Sequence, residues 1–153
     1  MTANGGASDW VTASSVAWSC TMGPDAPVDP GVPVRLAEIA VRGIGAGDKH
    51  AVLNTLGAAL YRAGRYDEAI RRLEEAIQAR GGEHPGDWPF LAMAHQRLGH
   101  RDEARRWLDR LREHQPSMDP DQFWGELAIR LLRAEAEAVI LYDPAFPDDP
   151  FAH

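Results

Sequence analysis

The sequence of 153 residues predicts an all-α fold built from three stacked helical hairpins and one capping helix. The first observation is a nine-residue phrase at 61–69, YRAGRYDEA, which returns 35 residues later at 96–104 as QRLGHRDEA. The second is that no segment shows the strict alternation of apolar and polar residues that marks a half-buried strand. A repeat of this length is typical of helical hairpins, which stack because one hairpin cannot bury its apolar face alone.

Apolar residues at helical spacing, separated by proline and glycine breaks, predict seven helices. Their expected ranges are 7–21, from 33 to the 43–47 region, 49–63, 66–79, 86–98, 101–114 and 121–142. Four prolines between positions 24 and 33 exclude a regular helix after the first segment. Asp67 and Glu68 fall in the first turn of the fourth helix, where the helix dipole favours negative charge.

These elements predict a division of the chain into four parts. We expect a disordered N-terminus over 1–7 and repeats over 8–116, divided into 8–47, 48–82 and 83–116. A capping helix is expected over 117–142, followed by an acidic, Pro- and Phe-rich tail over 143–153. The capping helix would cover the apolar face that the third hairpin leaves open.

Composition and charge restrict the function. An apolar content of 44% is enough for a real core, and the net charge is −7. An acidic chain disfavours nucleic acid, whose binding needs a basic footprint. The single cysteine fits a reducing compartment, and no stretch approaches 18 apolar residues. We therefore expect a cytoplasmic protein that binds neither nucleic acid nor membrane.

The sequence contains no recognisable catalytic or metal-binding motif. The six histidines are scattered, and no pair has the i,i+4 spacing with an acidic neighbour that a helical zinc site needs. No phosphate-binding loop, nucleophile elbow or paired-cysteine motif occurs. We expect no catalytic residue, no metal and no cofactor, and hence no enzyme.

The second and third hairpins resemble the tetratricopeptide repeat (TPR), whose pattern is W-x2-L-G-x2-Y followed by A-x3-F and Pro. The matching residues are Leu53, Leu56, Gly57, Leu60, Ala69 and Leu73 in the second hairpin and Trp88, Leu91, Ala92, His95, Ala104, Leu108 and Pro116 in the third. The first hairpin matches poorly. The resemblance implies a right-handed superhelix with a concave groove.

Several phrases are similar to the C-terminal TPR segments of large bacterial proteins that carry a serine/threonine kinase domain or a WD40 propeller. They are NTLG at 54–57, YRAG at 61–64 and FLAMAH at 90–95. This likeness implies a recruitment module in a signalling protein, although no kinase motif stands in this chain.

The candidate binding residues are those on the first helix of each hairpin that point away from its packing stripe. Tyr, Phe, Met and Arg on one strip have the composition expected of a binding surface. The predicted partner-binding groove comprises Asn54, Ala58, Tyr61, Arg62, Arg65, Phe90, Met93, Gln96 and Arg97. For Phe90 and Met93 the alternative is that they are core shared between repeats.

The leading hypothesis is a non-enzymatic protein-interaction module that holds a peptide or helix of a partner in its groove. One alternative is RNA binding of the pentatricopeptide kind, because those repeats also run 35 residues. Another is self-association, as a homodimer, through the C-terminal helix and tail. The tail could also occupy the groove of its own chain.

Overall fold

The computed structural model describes the backbone of residues 5–142 and the side chains from residue 9 onward. This part contains seven α-helices and one short 3-10 turn, and no strand occurs within it. In chain order the helices are α1 (Gly5–Thr21), α2 (Gly31–Gly43), α3 (Lys49–Arg62), α4 (Tyr66–Arg80), α5 (Trp88–Arg97), α6 (Arg101–Glu113) and α7 (Phe123–Leu141). The all-α prediction is confirmed, while the predicted tail over 143–153 lies outside the described residues.

The helix bounds differ from the expected ones mainly at the N-terminal ends. α1 begins at Gly5, so residues 5–7, expected to be disordered, belong to a helix. α2 begins at Gly31, which places Pro33 in its first turn, where a missing N–H costs little. α7 is preceded by a 3-10 turn over Pro120–Gln122, capped by the Asp119 carboxylate, which accepts from the N–H of Asp121.

The two copies of the repeated phrase build the same turn. Gly64 and Gly99 adopt φ of +77° and +80°, a left-handed conformation that favours glycine. The next residue after each glycine donates its N–H to a carbonyl five positions back, from Arg65 to Leu60 and from His100 to His95, both at 2.9 Å. The sequence repeat is therefore a structural repeat.

Small residues allow the two helices of a hairpin to approach closely where they cross. A Cβ added to Gly57 of α3 would lie 2.6 Å from Cγ of Leu73 in α4, so only glycine admits this approach. Leu73 is completely buried, as are Ala69 and Ala104 at the start of α4 and α6. These positions let the two helices of a hairpin pack closely.

Neighbouring hairpins pack on one another, and the terminal helices enclose the middle of the domain. α1 packs on α3 as well as on α2, and α7 packs on α5 and α6. Residues 52–61 of α3 are consequently buried without interruption. The first helices of the two matching hairpins form the interior of the domain.

A cleft between the terminal helices

Six of the nine residues predicted to line an open groove lie in the interior. Their exposed fractions are between 0% and 7%, and they are Asn54, Ala58, Tyr61, Phe90, Met93 and Gln96. For Phe90 and Met93 the structure places both side chains in the shared core, as the alternative interpretation had it. Their burial has a simple cause, since α1 and α7 close over the faces of α3 and α5 that point away from α4 and α6.

Arg62, a leading candidate for binding a partner, makes its contacts inside the domain. Its two terminal nitrogens donate to the two carboxylate oxygens of Glu135 in α7. Its Nε donates to the carbonyl of Thr21 at the end of α1, at 2.9 Å. The guanidinium carbon also lies 5.5 and 5.6 Å from the ring centres of Tyr61 and Phe90. Arg62 therefore joins α1 and α7 across the end of α3.

Arg65 and Arg97, the other two predicted arginines, remain exposed. Arg65 pairs with Glu68 one turn later, and its side chain is 46% exposed. Arg97 donates a hydrogen bond to the hydroxyl of Tyr61. Burial raises the pKa of Tyr61, and the Arg97 guanidinium opposes that rise.

A cleft lies between α1 and α7, over the N-terminal half of α3. Its volume is about 520 Å³. Opposite walls each carry a tryptophan, Trp18 on α1 and Trp124 on α7, and Trp124 is 76% exposed. The rest of the lining comprises Ser14, Ser15, Asp48, His50, Ala51, Asn54, Thr55, Arg80, His84, Gly86, Gly125, Ala128, Ile129 and Leu132. Such a volume, with apolar walls and a few polar groups, suits a small ligand or a short peptide segment.

A buried carboxylate organises the polar floor of this cleft. Asp87 is completely buried. Its Oδ1 accepts from Nδ2 of Asn54 at 2.7 Å, and His50 Nε2 lies 3.1 and 3.0 Å from its two oxygens. Asn54 also donates to the carbonyl of Gly86 at 3.2 Å. Because two polar side chains of α3 fix the loop before α5, the floor is held rigidly.

His84 stands in the same loop, with its ring centre 5.3 Å from that of His50. Its Nδ1 accepts the N–H of Gly86 at 3.1 Å. Burial lowers the pKa of His84, and the nearby Arg80 and His50 lower it further. The unprotonated ring therefore fits this position, because a protonated Nδ1 cannot accept a hydrogen bond.

Among the described residues, no group of three or more His, Cys, Asp or Glu side chains is arranged to hold a metal ion. Over the same residues, none of the helices has the length and apolar character needed to cross a membrane.

Comparison with known proteins gives a family match over part of the chain. Residues 60–125 match the family model of the tetratricopeptide repeat, which agrees with the helical hairpins and their glycine turns. This part of the chain is a TPR domain. Searches of curated proteins and of solved structures returned no match. TPR domains generally serve as non-enzymatic protein-interaction modules, and the match supports that broad function for this one.

The sequence prediction identified only one residue of the cleft, Asn54. The helical period of the sequence indicated which face of α3 points away from α4. It could not show that α1 and α7 cover one end of this face and leave the other end open. One signal in the sequence could have indicated α7 as a wall: Trp124-x2-Leu127-Ala128 has the same spacing as Trp88-x2-Leu91-Ala92. A helix that repeats this spacing is expected to stack like the first helix of a further TPR.

Proposed function

We propose that the protein binds a short peptide segment of a partner protein in the cleft between α1 and α7. The observation that carries the proposal is the pair of tryptophans on opposite walls, Trp18 and Trp124, above the rigid polar floor of His50 and Asn54. Tryptophan is enriched among the residues that dominate binding energy at protein interfaces. An apolar side chain of the peptide would insert between the two rings, and its backbone would meet the floor.

The charges of the cleft favour a peptide over RNA. Among the lining residues Asp48 and Arg80 offset one another, and a single-stranded nucleic acid needs a positively charged groove. The likeness of the TPR phrases to those of kinase- and WD40-containing proteins supports a recruitment role within a larger signalling assembly. The cytoplasm is the compartment in which such an assembly would work.

The test blocks the cleft without disturbing the core. Ala51 is exposed on the floor, so Ala51→Trp fills the cleft from α3. The matched control is Ala79→Trp, because Ala79 is exposed near the end of α4 and takes no part in the cleft. Peptides selected from a displayed random library on the wild-type chain are then titrated against both variants.

We expect Ala51→Trp to weaken the selected peptides by at least about tenfold, and Ala79→Trp to leave their affinity unchanged. Equal affinity for the wild-type chain and Ala51→Trp would show that the peptides bind elsewhere, and it would refute the cleft assignment.

A further inference from the structure

α7 repeats the register of the first helices of the matching hairpins, but no second helix covers it in the described structure. The four positions are Leu53, Leu56, Gly57 and Leu60 on α3, Trp88, Leu91, Ala92 and His95 on α5, and Trp124, Leu127, Ala128 and Leu131 on α7. On α3 and α5 the next helix, α4 or α6, packs beside them. On α7 the corresponding Trp124 and Leu131 are 76% and 54% exposed. The open face is therefore shaped to receive a helix.

This open face continues along the whole of α7 as a heptad stripe. Its members are separated by three and four residues in turn: Trp124, Leu127, Leu131, Ala134, Ala138 and Leu141. Ala134 and Ala138 are exposed, while Leu127 and Leu141 are half-buried. Spacing of this kind is typical of helices that pair by inserting knobs into holes. Three large side chains precede the two alanines along the helix, and Leu141 follows them.

We infer that the α7 stripe binds the α7 stripe of a second copy of this chain in antiparallel orientation. With the two-fold axis between positions 131 and 134, Leu131 lies over Ala134 of the second copy and Leu127 over its Ala138. In these two layers a leucine meets an alanine, and at the two ends of the contact Trp124 lies over Leu141 of the second copy. A parallel pair would stack large on large in the first half of the helix and leave a gap in the second half.

The charged residues beside the stripe also favour the antiparallel arrangement. Arg130 and Glu137 occupy one flank of the stripe, separated by one heptad, and Arg130 is exposed. The antiparallel two-fold places Arg130 of each copy beside Glu137 of the other. Glu137 already pairs with Arg133 at 3.1 Å and with Arg112 at 3.6 Å, and it is 31% exposed, so it remains accessible to a further guanidinium.

The size of the contact sets the strength of the dimer. A helix of 19 residues is about 28 Å long, so one helix pair falls in the small class of interfaces, below about 1,200 Å². We therefore expect a reversible dimer with a dissociation constant on the order of micromolar rather than an obligate one.

The test exchanges a large and a small residue of the stripe. Leu131→Ala leaves alanine over alanine, and Ala134→Leu puts leucine over leucine. The double variant Leu131→Ala with Ala134→Leu restores one large and one small residue in each layer. Both positions are exposed, so thermal unfolding should confirm that every variant folds. The matched control is Ile39→Ala, because Ile39 is 42% exposed on α2, away from the stripe.

Light scattering on the full chain at about 5 to 500 µM should give a mass that rises toward two chains. We expect each single substitution to weaken the dimer by about tenfold, the double variant to recover to within about threefold, and Ile39→Ala to have no effect. A wild-type chain with the mass of one copy at every concentration overturns the inference. So does a tighter dimer for Ala134→Leu, which would indicate unspecific apolar association, or a double variant that does not recover.

The stripe and the cleft share Trp124, but the dimer can be tested separately from peptide binding. Ala51→Trp, which fills the cleft, should leave the dimer mass unchanged, since Ala51 lies on α3 and outside the stripe.

Discussion

Replacing Arg62 by alanine tests whether this arginine holds the domain together or serves a partner. The pair with Glu135 is largely buried, since the two side chains are 10% and 19% exposed. Removing one member of a fully buried pair costs about 3–5 kcal/mol, and the partial exposure of Glu135 reduces this to about 2 kcal/mol. The hydrogen bond to Thr21 adds about 1 kcal/mol. The stacking on Tyr61 and Phe90 adds about 0.5 kcal/mol.

Arg62→Ala should therefore lower the free energy of unfolding by about 3 to 4 kcal/mol, measured by urea denaturation. In a chain of this size the expected fall in Tm is roughly 6–16 °C. The matched control is Arg65→Ala, because the pair of Arg65 with Glu68 is exposed to solvent and contributes little to stability. A double-mutant cycle with Glu135→Ala should show that the double variant loses less than the sum of the two single variants.

The reasoning fails if Arg62→Ala costs no more than Arg65→Ala, or if the losses at Arg62 and Glu135 simply add. Either result would mean that the contacts between α3 and α7 contribute little to stability. Arg62 would then again be a candidate for binding a partner.

Two further predictions concern a helix crossing and the loop before α5. Gly57→Ala should destabilise the domain by about 1–3 kcal/mol, because the added Cβ would lie 2.6 Å from Cγ of Leu73. The control is Gly125→Ala, whose added Cβ meets no atom within 4 Å. This substitution should instead stabilise α7 by up to about 1 kcal/mol. Equal effects in thermal unfolding would contradict the crossing geometry. The pKa of His84 is lower in the folded protein than its value of 6.5 in the unfolded chain. The contribution of His84 to stability is therefore complete above pH 6.5 and is lost as the pH falls through the pKa of the folded state. His84→Asn retains an acceptor for the N–H of Gly86 but has no group that titrates in this range. In urea unfolding, the variant should therefore lose less stability than the wild-type chain as the pH falls below 6.5. An equal loss in the two chains would refute this role of His84.

Much of the fold could be predicted because its determinants are local. Gly64 and Gly99 end α3 and α5 in left-handed turns, and a repeated phrase around a glycine is visible in the sequence. Prolines and apolar spacing likewise gave the seven helices to within a few residues at most ends. Helix bounds and hairpin turns depend on neighbours in the chain.

The site could not be predicted in the same way because its determinants are distant in sequence. Arg62 meets Glu135 across 73 residues, and no local pattern indicates that pairing. Asp87 precedes α5 and has the sequence position of an ordinary helix cap, yet it is completely buried and hydrogen-bonded to His50 and Asn54 of α3. The sequence could show which face of α3 points away from α4, but not that two terminal helices cover part of that face.

Arg62 and Arg97 occupy the same position in the repeated phrase but have different neighbours, so the sequence repeat does not make them equivalent. Arg62 joins α1 to α7 at the C-terminal end of α3, whereas Arg97 remains exposed beside Tyr61. This connection closes the C-terminal end of the α3 face that points away from α4, and the other end, at His50, is the accessible floor of the cleft. If the cleft binds a peptide, the spacing of its two walls depends on Arg62. Arg62→Ala should then weaken peptide binding at temperatures where the variant is folded, although Arg62 does not line the cleft.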